Sequence, residues 1–503
     1  MPRAFRLGLE GMGMSTCARV NPVFTEELQQ LNKDAADYGT KREQKHVKAV
    51  KQWAEGEMRA AANTWEDILA EFPTDLMACK FAHEAYFFMG DRWNKRDSVK
   101  RVIGKYKGTE PCYSYLHGML AFGLEECGEY RKAEKEAQQA LSLNRFDSWA
   151  THATAHVMEM EGRQDEGIHF MENTVNDWKP GWMIATHNFW HNALFYIEKA
   201  EYEISLSIFD QEISPRLAKS GSMLDMVDAV SLLWRLEMEG VNVGKRWNTL
   251  PSMQKHIHDH VIVFNDVHLG PMLLKMEDYD DEIKLHDSLV NFSRCCTGDN
   301  ARVSRLVGVP LYEGMIHYGR GNFDEAAAKL LPIRDTVYTI GGSNAQEGYS
   351  NSYPNTSYKS FQRMINDSYI DRGMKVGKYA CSLKVFRQFL ATKTARILYI
   401  LGKTADNEKI LDEMLLEVDE SSKESIFHSV FTVLKEPHLR TPFFIGCLSL
   451  QLIVCIWPII YLSTDILEEN FSEETSQIAS LAFIMANFIA GMGGMFIIEK
   501  YSL

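Results

Sequence analysis

Of the chain's 16 histidines, four fall in two pairs whose spacing could do chemistry. His152 and His156 are four residues apart, and His187 and His191 repeat that spacing 35 residues on. Residues four apart share one face of a helix. Two imidazoles on one face can chelate Zn²⁺ or act as an acid and a base. Glu159 follows His156 by three residues, whereas His83 and His117 stand alone in earlier segments. A second group, His256, His258, His260 and His268, has Asp259 and Asp266 beside it. The zinc-protease string His-Glu-x-x-His is absent, and no thiolate or acidic residue other than Glu159 is spaced to complete a metal shell. The expectation is therefore that the imidazoles hydrogen-bond between helical layers, with no catalytic residue, metal or cofactor. The alternatives are a metal or acid/base site, or a ligand-contacting patch of His152, His156, His187 and His191 with Trp182 and Trp190. Trp178, Trp182 and Trp190 form a dense group that could wall such a groove.

Other chemistry finds little support. Gly341-Gly342-Ser343 lacks the spacing and the lysine of a phosphate loop. There is no Gly-x-Ser-x-Gly nucleophile elbow. Cys295 and Cys296, beside Arg294, read as loop thiols. With nine cysteines in 503 residues and no Cys-x-x-Cys pair, reduced thiols are expected, not a disulfide scaffold or zinc ribbon. A net charge of −14 without a basic stripe argues against nucleic acid as a partner. A 45% hydrophobic and 24% charged composition is that of a globular chain, and the length allows several domains or one long repeat array.

The elements that must position the histidines recur with a period. A glycine or alanine, then a polar residue and often an aromatic, appears at Gly56, Gly90, Gly128, Gly162, Ala200, Gly240 and Gly321. The spacings are 34, 38, 34, 38, 40 and then 81, the last holding two repeats with one turn unreadable. Glycine supplies the left-handed residue that ends a helix. Tyr130, Tyr202 and Phe323 begin the second helix, and Ala133 and Ala326 allow close approach. Pro73 stops a helix, and Asp75 and Asp147 can cap the next. A single hairpin of this kind cannot bury its apolar face, so about eight must stack into an α-solenoid with a concave groove. Both histidine pairs fall on first helices, which line such a groove.

The segment ALSLNRFDSWA (140–150) resembles the junction between tetratricopeptide repeats, with Arg145 where that repeat has proline. More closely, the chain resembles the tetratricopeptide repeat protein 38 family. The matching strings are PTDLMACKFAHEAYFFMG (73–90), HVMEMEGRQDEGIHFME (156–172), THNFWHNALFYIEKAEYE (186–203), MLDMVDAVSLLWRLEMEGVNVGKRW (223–247), HDHVIVFNDVH (258–268) and LLPIRDTVYTIGGSNAQ (330–346). The resemblance covers about residues 40–346 and implies an all-α tetratricopeptide-like solenoid without established catalytic activity.

The C-terminus differs in character. Residues 1–39 are unassigned, without a secretory signal, and 347–384 read as a turn-rich linker. Pro442–Leu462 and Ile478–Ile498 are each 21 residues without a charge, long enough to span a bilayer as a helical hairpin. The loop between them, 463–477, carries Asp465, Glu468, Glu469, Glu473 and Glu474 and no basic residue, whereas Lys435, Arg440 and Lys500 flank the spans. Positive flanks stay in the cytoplasm. From ARILYILGKTAD (395–406) onward the chain resembles facilitative sugar transporters of the major facilitator superfamily, with 385–441 as their cytoplasmic helical segment. Gln451 matches one of the paired glutamines of that family's sugar path, but its partner position is Leu452 and a polar asparagine position is Trp457. Two spans cannot supply the two bundles of alternating access, so the segment is expected to anchor, with transport as the lesser alternative.

The combined expectation is a non-enzymatic binding or scaffold protein. It would hold a protein or peptide in its groove and a membrane through 442–498. The array would be cytoplasmic, and a cytoplasmic protein outright without that C-terminal segment. A glycosylation acceptor placed in 463–477 is expected to be modified on the non-cytoplasmic side, and acceptors placed before 442 are expected to stay unmodified.

Overall fold

The computed structural model describes residues 1–181 and 184–347. The linker, both candidate spans, Gln451 and Trp182 lie outside the described residues. The chain divides into two units, Met1–Asp371 and Arg372–Leu503, and the described residues all belong to the first. They contain helices and turns and no strand, and none of their helices is long and apolar enough to cross a membrane.

Two helices open the chain, α1 (Pro2–Met12) and α2 (Pro22–Tyr38). Four hairpins come next: α3 (Lys41–Ala54) with α4 (Met58–Glu71), α5 (Leu76–Phe88) with α6 (Arg92–Val102), α7 (Tyr113–Glu126) with α8 (Tyr130–Leu143), and α9 (Ser148–Met160) with α10 (Gln164–Asn173). The short α11 (Val175–Trp178) leads to α12 (Ala185–Glu198), whose partner is α13 (Tyr202–Ile208) continued through a π-turn into α14 (Ser214–Ser220). α15 (Met223–Met238) is followed by irregular chain with two 3₁₀ turns. The last hairpins are α16 (Val263–Lys275) with α17 (Tyr279–Cys295) and, after α18 (Asp299–Val303), α19 (Val309–Gly319) with α20 (Phe323–Leu330). A final turn, α21, is Asn344–Glu347.

One turn geometry recurs at the end of every first helix. Gly56, Gly90, Gly128, Gly162, Ala200, Gly240, Glu277 and Gly321 have φ between 57° and 86°. At each, the next residue's N–H reaches back to the carbonyl five residues before it, as in Glu129 to Leu124, Arg163 to Met158 and Asp278 to Leu273. This is the bonding that closes a helix on a left-handed residue. The turn hidden in the 81-residue gap is Met276-Glu277-Asp278-Tyr279, which splits it into 37 and 44. It keeps the polar and aromatic parts of the cue but uses glutamate in place of glycine. Asp75 and Asp147 cap α5 and α9, accepting the N–H groups of Ala78 and of Trp149 and Ala150.

The first helices face inward, and the array closes on itself. The Asp299 N–H donates to the Gly56 carbonyl at 3.1 Å, and the Arg59 N–H donates to the Asp299 carboxylate at 2.8 Å. These join the segment after α17 to the first hairpin's turn. The Asn265 amide donates to the Met14 carbonyl at 2.7 Å, tying α16 to the N-terminal segment. α1 packs on the inner helices α3 and α5, with Gly8 against Phe81 and Val50, and Trp53 donates to the Gly11 carbonyl at 3.1 Å. Residues 1–39, unassigned from sequence, thus belong to this body: Leu7, Phe24, Leu28 and Leu31 are buried in the shared core.

From the other side a strap, 337–347, crosses the inner face. Its Gly342 N–H donates to the Phe87 carbonyl. Asn344 donates its backbone N–H to the Glu126 carboxylate and its amide to the Glu126 carbonyl. The Arg235 guanidinium donates to the carbonyls of Ala345 and Gln346, both at 3.1 Å. The fit leaves no room at Gly341, where a Cβ would collide with the Phe88 backbone.

Glu277 is exposed and sits at φ 61°, a conformation that strains a residue bearing a Cβ by about 1–2 kcal/mol. Glu277→Gly is expected to raise stability by about 0.5–1 kcal/mol after the glycine's greater unfolded-state freedom is subtracted. Gly128→Ala is expected to lower it by about 1 kcal/mol through backbone strain, since nothing lies within 4 Å of the added Cβ. Urea denaturation midpoints of the three chains check both signs.

Candidate functional site

Six consecutive inner helices contribute to one cavity. Phe81, Phe87 and Phe88 come from α5, Phe122 from α7, and Trp149 and His152 from α9. His187 comes from α12, Val227 and Asp228 from α15, and Phe264 from α16. Leu9, Met12 and Met14 of the N-terminal segment close one side, and Gly342 and Gln346 of the strap close the other. The cavity has about 160 Å³ of room for the centres of water-sized molecules, and its lining is mostly apolar. Its polar groups are Lys80, Glu84, Asp228, Gln346 and two of the four histidines. Lys80 pairs with Glu84 and lies 4.2 Å from the centre of the Trp149 ring.

The four histidines meet at the floor of this cavity. α9 presents His152 and His156 on one face, and α12 presents His187 and His191 to them. The Nε2 atoms of His152 and His156 are 2.9 Å apart. Ring centroids lie 4.4 Å apart for His156 and His191, and 4.9 Å for His152 and His187. One ring nitrogen from each of the four lies within 4.8 Å of the other three. His152 and His187 reach the cavity; His156 and His191 are beneath them, fully buried.

A carboxylate stands behind three of the four rings. His191 Nδ1 is 2.8 Å from Glu159, His187 Nδ1 is 2.7 Å from Asp228, and His156 Nδ1 is 3.3 Å from Glu125 without the alignment of a hydrogen bond. His191 Nε2 and His152 Nδ1 are buried and have no hydrogen-bond partner among the described residues. Burial, reinforced by the neighbouring imidazoles, holds His152, His156 and His191 well below the ordinary histidine value, so they are neutral at pH 7. Burial pushes Asp228 up against the pull of His187. Burial and the adjacent Glu126 push Glu125 well up, with Lys95 opposing. The Lys95 ammonium, itself buried, is brought down to about 8 by desolvation. It lies 3.1 Å from the centre of the Phe122 ring, which packs against His152 and His156.

The tryptophans take different places from those expected of a groove wall. Trp190 is fully buried behind the site, stacked on His187 with its ring centroid 5.0 Å away, and it donates to Ser231 at 2.8 Å. Trp178 donates to the Met171 carbonyl and packs on Phe189, away from the cavity. Among the described residues, Trp149 is the tryptophan that lines it.

In the second histidine group His258 and His260 share the Ser288 hydroxyl, with His258 at 2.9 Å, and the other two bond elsewhere. His260 is held between Asp266 at 3.0 Å and Ser288 at 2.8 Å, His256 pairs with Asp259 at 2.6 Å, and His268 bonds the Phe264 carbonyl at 2.8 Å. His117 pairs with Glu136 at 2.6 Å.

Sequence reasoning missed Glu125, Asp228, Lys95 and the strap residues. Glu125 had a usable signal: it stands three residues before Gly128, as Glu159 stands three before Gly162. Asp228 had none, because its role depends on α15 lying beside α12. No protein-family model matches the chain.

His83 offers a test of the neutral-imidazole interior away from the cluster. Its Nε2 donates to the Met119 carbonyl at 3.1 Å, and burial lowers it to about 4 against Glu84, with Lys95 and Lys80 adding to the depression. Between pH 6.5 and 4 the unfolded chain binds a proton that the folded chain does not, so this group makes stability fall as pH falls. The His83→Gln chain is expected to lose less stability toward acid, with a slope shallower by about 1.4 kcal/mol per pH unit in that window. Denaturation midpoints at pH 7 and pH 5 measure the difference.

Proposed function

We propose that this protein is a helical-repeat binding protein whose inner face encloses a small, largely apolar molecule with a polar end. The observation that carries this is the cavity itself: apolar walls from six inner helices, flanked by α1 and the strap, over a floor of imidazoles. Pockets that combine apolar lining with a few convergent polar groups are the usual form of small-ligand sites. A peptide lying along the groove is disfavoured, because the chain's own residues 9–14 and 342–346 occupy that face. In this reading the unit binds and does not turn its ligand over.

The eight shared turns, seven of them between paired helices, support a tetratricopeptide-like array. The strings at 73–90, 156–172, 186–203 and 223–247 support kinship with the tetratricopeptide repeat protein 38 family. We extend the proposal to the C-terminus on sequence grounds alone. The two uncharged 21-residue runs would anchor the unit at a membrane, with the array on the cytoplasmic side.

Leu224 lines the cavity and is only partly buried. A Leu224→Trp chain is expected to fold with unchanged circular dichroism and to lose the small molecule that mass spectrometry finds in organic extracts of the purified wild-type chain. An extract without any such molecule, or one equally rich from the variant, would count against the proposal.

A further inference from the structure

We propose that His152, His156, His187 and His191 form a binding site for one divalent first-row transition ion of the zinc, cobalt, nickel and copper class. This stands apart from the identity of the cavity's occupant, since the four nitrogens converge whether or not the cavity is filled.

The donor set comes first. One nitrogen of each ring already lies within 4.8 Å of the rest, and the His152 and His156 Nε2 atoms are 2.9 Å apart. Imidazole nitrogens bind Zn²⁺ at about 2.0–2.1 Å, which places tetrahedral nitrogens roughly 3.4 Å from one another. The cluster therefore needs only small ring rotations to enclose an ion. Imidazole is a borderline ligand that suits zinc, copper and nickel and is poorly matched to Mg²⁺ or Ca²⁺.

The groups behind the rings come second. A metal-bound histidine almost always donates its other N–H to a carboxylate or carbonyl, which fixes the tautomer and turns the free nitrogen toward the ion. Glu159 does this for His191 and Asp228 does it for His187, at 2.8 and 2.7 Å. Glu125 faces His156 Nδ1 at 3.3 Å. Glu159 and Asp228, bonded behind the rings, also supply counter-charge of the kind a dication needs in a buried place.

The third observation is the unmet valence without an ion. With its Nδ1–H given to Glu159, His191 has a bare Nε2 lone pair, buried and without a partner among the described residues. A buried polar atom left this way costs about 1–3 kcal/mol. His152 and His156 present Nε2 to Nε2, so one of them must carry its proton there. If it is His156, its Nδ1 lone pair points at Glu125. If it is His152, its Nδ1 is the unpartnered atom. An ion accepting all the Nε2 lone pairs lets His156 and His191 carry Nδ1–H toward their carboxylates. His152 and His187 also line the cavity, so the ion would border the bound small molecule.

The test uses the purified full chain, stripped with a chelator and then titrated with Co²⁺ and Zn²⁺. The expected result is one ion per chain, with the intense visible bands of four-coordinate Co²⁺ and a rise in melting temperature on binding. His187→Ala/His191→Ala should abolish the bands. Asp228→Asn, which keeps all four imidazoles, should fold and weaken binding by about 10–100-fold. His258→Ala, in the other histidine group, should leave binding intact. Leu224→Trp, which fills the cavity, should also leave it intact, so loss of the small molecule and loss of the metal are separable. A folded wild-type chain that binds neither ion at micromolar concentration overturns the inference. So does tight binding that survives both the double substitution and Asp228→Asn.

Discussion

Each inner helix ends on one left-handed residue, and the rest of the unit depends on that turn. With φ near +60° to +90° the chain reverses within a few residues and lays the second helix back on the first. A hairpin so formed has an apolar face on both sides and cannot stand alone, so each hairpin is completed by its neighbours. Repetition of the same turn repeats the same small rotation. After seven such turns the accumulated curvature brings Asp299 to the Gly56 turn.

Closure changes what the inner face is. An open solenoid offers a wet groove. Here α1 and the strap occupy part of that groove, a mostly apolar cavity remains between them, and many polar residues of the inner helices are removed from water. The unit therefore carries ionisable groups in its interior, among them Lys95, Glu125, Glu126, Asp228, Arg235, His152, His156 and His191. Burial of isolated charges is strongly unfavourable. Several have partners: Glu126 on Asn344, Glu159 and Asp228 on the histidines, and Arg235 on the strap carbonyls, whereas the Lys95 ammonium rests on the Phe122 ring without a hydrogen bond among the described residues. Apolar rings are interleaved: Phe122 between Lys95 and the histidines, and Trp190 between His187 and Arg235, whose guanidinium lies 5.0 Å from the Trp190 ring centre.

This arrangement couples the strap to the site. Arg235 holds two strap carbonyls while packed on Trp190, which stacks on His187, and Glu126 holds Asn344 from a helix that also carries Glu125. The residues that close the cavity and those that form its floor thus share neighbours.

Local pattern by itself determined a great deal about this protein. Glycine spacing, caps such as Asp147, and the four-residue spacing of the two histidine pairs follow from how the backbone and side chains of nearby residues interact. They marked seven of the eight turns and placed both pairs on inner helices. The eighth turn was hidden because Glu277 accepts the left-handed conformation that glycine adopts without strain, and the surrounding hydrogen bonds hold it there. Only the tertiary structure decided that the solenoid closes, that residues 1–39 belong to it, that Glu125, Glu159 and Asp228 stand behind the histidines, and that Trp149 and not Trp190 meets the cavity. Those facts depend on contacts such as Asn344 with Glu126, 218 residues apart. They arise from many small rotations between successive hairpins, and no single stretch of sequence carries their sum.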